Sequence, residues 1–283
     1  MTTAIDAAPT EHPPHPGGTV LVRRHSGLVR ITHWINVVAV FFLLISGLQI
    51  FNATPGLYLG NYADFDHPVM SLTAANTPSG PVGITQIGPL HFNTTGFLGL
   101  SIYNGQWAAR GFPGWATVPS YQDLATGRRW HFLFAWLFAI NGAVYLIAGL
   151  ASGHLWRDLV PSLRDIRGIG RSIVEHAKLH FEHVREYNVL QKLAYLGVIL
   201  VFIVLVLAGM TMSPGLDAAF PFLVDLFGGR QTARTVHFVC ATLVVLFIVV
   251  HIVMVLISGL WNNLRSMITG RYAVSAESET HAD

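Results

Sequence analysis

The chain has 283 residues, 52% of them hydrophobic and only 11% charged. Soluble domains carry about 25% charged residues, so the composition excludes ordinary packing in water and points to a multi-span membrane protein. A single cysteine excludes an internal disulfide or a thiolate cluster, no C-x-x-C-H is present for covalent haem attachment, and with a net charge of +2 no basic patch suggests nucleic acid.

Residues 1–20 are rich in Pro, His, Ala and Thr without periodicity and read as a disordered tail. His12 and His15 belong to it. Arg23, Arg24 and Arg30 precede a first apolar span, about residues 31–50, that holds His33 and Trp34. It is too long for a signal-peptide core and lacks a cleavage site, so it is expected to be a retained helix.

A long loop, about residues 51–127, follows, punctuated by Pro55, Pro81, Pro113 and Pro119. Loops of this length are usually functional. Tyr58, Trp107 and Trp115 either form a docking surface or pack short interfacial helices, and His67 and His91 read as ordinary polar loop residues.

The second span, about 130–150, opens with His131. A basic segment then carries Arg157, Arg164, Arg167, Arg171, Lys178, Arg185 and Lys192. Within it His176, His180 and His183 share one helix face; Glu175, Lys178 and Glu182 between them favour a solvated amphipathic helix over a metal site. The third span, about 193–212, has no histidine and stops at Ser213-Pro-Gly.

The fourth span, about 234–258, carries His237 and His251. Fourteen residues turn a helix through about 1400°, so both rings lie near one face, about 21 Å apart along the axis. Ionisable groups inside a membrane helix are expensive and mark function by default. Imidazole is a usual axial ligand of haem iron.

Four spans put both termini and the 151–192 segment on one side. That segment is the more basic, against only Arg110, Arg128 and Arg129 in or beside the longer first loop, so termini are expected in the cytoplasm of a bacterial inner membrane and the loop in the periplasm. His33 and His251 then lie near the cytoplasmic face, His131 and His237 near the periplasmic face. This depth match points to two bis-histidine b-type haems stacked across the bilayer.

Arg30, Arg128 and Arg234 each precede one of these histidines by three residues, one helical turn nearer the surface. They are either partners of haem propionates or interfacial anchors. Gly47, Gly142, Gly149, Gly197 and Gly209 lie within the spans, as room for a flat macrocycle or for plain helix packing.

Arg30-x-x-His33-Trp34, His131, and His237-x13-His251 in a four-span chain resemble the prokaryotic cytochrome b561 family, which includes the b-subunits of nickel–iron hydrogenases and respiratory formate dehydrogenases. Phe112-Pro-Gly-Trp115 and Gly127-Arg-Arg-Trp-His131-Phe also resemble b-subunits that accompany periplasmic molybdopterin oxidoreductases. The chain is expected to form an all-α four-transmembrane-helix bundle over residues 21–270, with a long periplasmic loop between helices 1 and 2, longer than in the formate-dehydrogenase form, and a flexible tail over 271–283. The resemblance implies two haem b, ligated by His33 with His251 and His131 with His237, exchange of electrons with a quinone near the His33–His251 haem at the polar edge around His154 or Asn188, and a periplasmic redox subunit as partner. The rival readings are a stand-alone quinone-linked oxidoreductase of the superoxide-oxidase kind, a haem-free transporter using histidines as a proton relay, and a purely structural anchor.

Overall fold

The computed structural model describes residues 19–153, 160–162 and 189–275. The expectations for His12 and His15, for most of the basic segment with His176, His180 and His183, for His154 and Asn188, and for the far C-terminal tail lie outside the described residues.

Four helices are long and apolar enough to cross a membrane: α1 (Gly27–Phe51), α2 (Leu124–Ala151), α3 (Val189–Met210) and a later one, α6 (Arg230–Ile257). At about 1.5 Å per residue even the shortest, with 22 residues, exceeds a hydrocarbon core of about 30 Å. Two begin earlier than their apolar runs because polar caps set the start. Ser26 Oγ accepts from the Val29 amide at 3.3 Å, and Asp123 accepts from the Thr126 amide at 3.1 Å. Hydrogen bonds from the Thr126 hydroxyl and amide also hold the Asp123 carboxyl below its usual range. Two short helices, α4 (Pro214–Ala219) and α5 (Phe222–Leu226), join α3 to α6, and α7 (Leu260–Thr269) follows α6.

The spans associate in two pairs. α1 packs along α2, and α3 along α6, while contact between the pairs is sparse. Phe42 of α1 stacks on Phe134 of α2 at 4.3 Å. Asn141 of α2 donates to the Thr32 carbonyl and to Asn36 Oδ1 on α1, both at 2.8 Å. An amide in the apolar region needs such partners, so this bond fixes one register between the two helices.

The expected all-α chain is corrected by strands at both ends of the bundle. β1 (Thr19–Arg23) pairs antiparallel with the last strand, β8 (Arg271–Ser275), so the chain is strand at residues where tails are expected. The partners lie at opposite ends of the sequence, and neither strand has a local turn to announce it. Gly270 makes the corner: its φ of 82° is open to glycine, and its carbonyl accepts from the Arg24 amide at 2.9 Å.

The stretch between α1 and α2 is likewise a β-rich insert rather than an irregular loop. It holds β2 (Gly56–Leu57), β3 (Met70–Thr77), β4 (Gly80–Ile87) and β5 (Leu90–Asn93) in one antiparallel sheet, and the hairpin β6 (Leu100–Tyr103) with β7 (Gln106–Ala109). The hairpin turns at Asn104-Gly105, both with positive φ, the pairing that a two-residue turn requires. Phe51, Leu57 and Leu72 form its buried core, against which Phe112 and Phe238 pack, so the insert shares its core with the ends of α1 and α6.

Arg110 bolts the insert to α1. It is 3% exposed. Its guanidinium donates to the carbonyls of Phe112 (2.7 Å) and Ser120 (2.9 Å), to Thr117 Oγ1 (3.1 Å) and to Gln49 of α1 (3.4 Å). Burial lowers its pKa from the ordinary arginine value, and carbonyl oxygens rather than a carboxylate meet its charge.

Candidate functional site

The four histidines of the spans meet in two pairs. His33 of α1 faces His251 of α6 with ring centres 6.3 Å apart, and His131 of α2 faces His237 of α6 at 6.2 Å. Each pair bridges the gap between the two helix pairs. α6 supplies one ring to each, so the pairs stand about 21 Å apart along its axis.

The separation fits a metal held between two rings. Two imidazoles with their nitrogens about 2 Å from one metal place their ring centres about 6 Å apart. Among the described residues no group of three or more His, Cys, Asp or Glu gathers to hold an ion. Two facing imidazoles with no further protein ligand among the described residues would suit iron whose other positions a macrocycle fills better than a tetrahedral ion.

The surroundings of His131 and His237 set their tautomers. His237 Nδ1 lies 2.8 Å from the Leu205 carbonyl of α3, which can only accept, so Nδ1 donates. His131 Nδ1 lies 3.1 Å from Ser46 Oγ, whose own proton goes to the Phe42 carbonyl at 2.6 Å. Both rings therefore carry the proton on Nδ1 and keep Nε2 as a free lone pair, the state of a metal-ligating histidine oriented by an outer partner. Gly47 and Gly209 lie beside these rings: a Cβ on Gly47 would stand 3.4 Å from His131 Cε1, and one on Gly209 3.2 Å from His237 Cε1. At the other pair, Trp34 lies edge-on to His33 at 5.5 Å and Phe247 stacks near His251 at 5.7 Å.

The three arginines of the sequence reading all lie one turn from their histidines. Arg30 donates through Nη1 to the Ile268 carbonyl of α7, and its Nε is buried without a partner, as is Nε of Arg24. Arg234 donates to the Thr54 carbonyl and lies over the Phe51 ring at 5.5 Å. Arg128 lies over Phe132 at 5.6 Å. Among the described residues none of the three forms an ion pair with a carboxylate; the pair found is His67–Asp64, exposed on the insert. Of the three aromatics read as either docking or packing residues, Tyr58 is packed, 5% exposed and with the Thr235 hydroxyl donating to its carbonyl, whereas Trp107 and Trp115 are exposed.

The family profile described as prokaryotic cytochrome b561 matches residues 24–270. The chain belongs to the prokaryotic cytochrome b561 family. It is thus an integral membrane haem protein of the b type. This cytochrome is also similar to a protein of Azospira oryzae named "Putative protein-methionine-sulfoxide reductase subunit YedZ1", with 30% identity over 233 residues, covering 82% of this chain and 89% of that one.

Ser46 and the Leu205 carbonyl were not singled out by sequence reasoning, and Gly47 and Gly209 were named only among the five glycines of the spans. Small residues are common in membrane helices, and only the fold shows which of them abut a ligand ring.

Proposed function

We propose that this cytochrome is the membrane electron-transfer subunit of a two-component oxidoreductase, carrying electrons between a quinone pool and a periplasmic redox enzyme. The observation that supports it most is the pair of facing imidazoles at each end of α6. Two haems b, one held by His33 and His251 and one by His131 and His237, would supply one-electron carriage across the apolar core.

The chain's own residues do the rest. Ser46 and the Leu205 carbonyl fix the ring tautomers. Gly47 and Gly209 leave room beside the rings. Arg30, Arg128 and Arg234 face no carboxylate of the described chain and are placed to bind haem propionates. The apolar span walls keep water from the site.

The basic segment between α2 and α3 sets the termini in the cytoplasm and the β-rich insert in the periplasm, in a bacterial inner membrane. The quinone then exchanges electrons at the His33–His251 end, and the partner at the His131–His237 end. The relative's name supports electron flow toward a reductase. Oxidation of a quinol releases two electrons and two protons, and reduction of a sulfoxide to a thioether and water consumes the same number, so the two half-reactions balance. A molybdopterin enzyme fits as the periplasmic catalytic subunit.

The test is to add a short-chain quinol to the purified protein and follow the visible bands. Reduction of the bands by quinol, and their reoxidation by the co-purified enzyme with its oxide substrate, is the expected result. Bands that dithionite reduces but quinol does not would refute the quinone-linked role.

A further inference from the structure

Beyond the charged turn at Asp64, Asp66 and His67, the insert has a surface without acidic or basic side chains apart from histidine. From residue 68 to 122 the only Asp, Glu, Lys or Arg is Arg110, and it is buried. Surfaces facing water usually carry about 25–35% charged residues. Here large apolar side chains stand out instead: Phe92 is 48% exposed, Phe97 54%, Trp107 51%, Trp115 77% and Tyr121 52%. Phe97 and Trp115 pair with ring centres 6.0 Å apart. The exposed Phe97–Trp115 pair, on a stretch depleted of charge, has the make-up of an interface core.

Its place says what covers it. The segment carrying Trp115 is tied directly to α1, because the Val118 amide donates to the Ile45 carbonyl at 3.1 Å. Ile45 adjoins Ser46, whose hydroxyl holds His131. Asn52, at the end of α1, donates to the Phe112 carbonyl at 3.2 Å and accepts from the Phe112 amide at 2.6 Å. Trp115, between Phe112 and Val118, thus lies on a segment anchored at both of these residues to α1, the helix whose Ser46 holds His131. Electron transfer weakens steeply with distance, so a redox partner has reason to bind here, and a second copy of the chain has none.

We infer that the Phe97–Trp115 face is the docking site of the redox enzyme, and that the two are held as a permanent, apolar complex rather than a charge-steered encounter. The inference rests on the electron-transfer reading above. Two electrons pass per turnover, supplied by the quinol and accepted by the enzyme, with no covalent bond between the proteins. Without charges at the contact, high salt does not dissociate the complex: about 1 M salt shortens the Debye length to about 3 Å and leaves apolar contact intact.

The experiment uses the full chain in its native membranes, with photo-reactive benzoylphenylalanine replacing Trp115. A crosslink to a redox enzyme that reoxidises the visible bands, in a complex that survives about 1 M salt, is expected. In Trp115→Asp and Phe97→Asp the haem content and quinol reduction are retained, while reoxidation by that enzyme slows about tenfold or more. Crosslinks to lipid or to a second copy, or unchanged reoxidation in both variants, would overturn the docking site and leave the electron-transfer reading standing. Failure of quinol to reduce the wild-type bands would overturn that reading and this inference with it.

Discussion

A Cβ on Gly209 would stand 3.2 Å from Cε1 and 3.3 Å from Nδ1 of His237. Leu205, one turn before Gly209 on α3, accepts from the same Nδ1, so the ring cannot retreat from a new side chain without giving up that bond. Gly209→Val is predicted to remove the haem of the His131–His237 pair and spare the other, lowering haem per chain from two to one. Gly47→Ala, at an ordinary 3.4 Å from His131, is predicted to keep both. A pyridine haemochrome assay on each purified variant checks this.

Ser46 Oγ accepts the hydrogen bond that His131 Nδ1–H donates. Ser46→Ala leaves that proton without a partner and frees the tautomer. Loss of such an outer partner costs a metal site about 10- to 100-fold in affinity. Haem titration of the variant should show one weakened site, and Ser46→Thr should restore it.

Asn141 ties α2 to α1 through two bonds in the apolar region. Asn141→Ala is predicted to destabilise the fold by about 1–2 kcal/mol, the range of interhelical hydrogen bonds in membranes. Thermal unfolding in detergent, followed by circular dichroism, should show a lowered midpoint. An unchanged midpoint would mean that ring packing such as Phe42 on Phe134 carries the α1–α2 contact.

On the insert, His67 Nδ1 lies 2.9 Å from Asp64 Oδ2, and this bond raises the His67 pKa above its ordinary 6.5 and lowers that of Asp64. The His67 contribution is complete below its ordinary value and is lost as pH rises through the raised pKa. The Asp64 contribution holds above the ordinary carboxylate value and is lost as pH falls through the lowered one. The bond therefore persists between those limits. An NMR titration should place the His67 midpoint above 6.5, and Asp64→Asn should bring it back toward 6.5.

The bundle was largely legible from the chain because its signal is strong: four long apolar runs, and histidines whose depths follow from helix rise alone. The facing of His33 with His251 and of His131 with His237 agrees with those depths. The β-rich insert was hidden because β2 and β5 to β7 are short, and the longer β3 and β4 are rich in Thr, Gly, Ala and Asn with few regular apolar alternations. Asn104-Gly105 was the one local sign of a hairpin. β1 and β8 pair the two ends of the sequence, which no local pattern reveals. The roles of Ser46 and Gly209 depend on which face of a neighbouring helix meets a ring, and that is settled by tertiary packing.

The most direct measurement is a reduced-minus-oxidised visible spectrum of the purified chain with haem counted per polypeptide, in the wild type and in His251→Ala. The account predicts two haems b per chain with low-spin bands, and one in the variant. A folded wild-type chain with one haem would contradict the pairing of one couple, and a folded chain with none would contradict the electron-transfer account altogether.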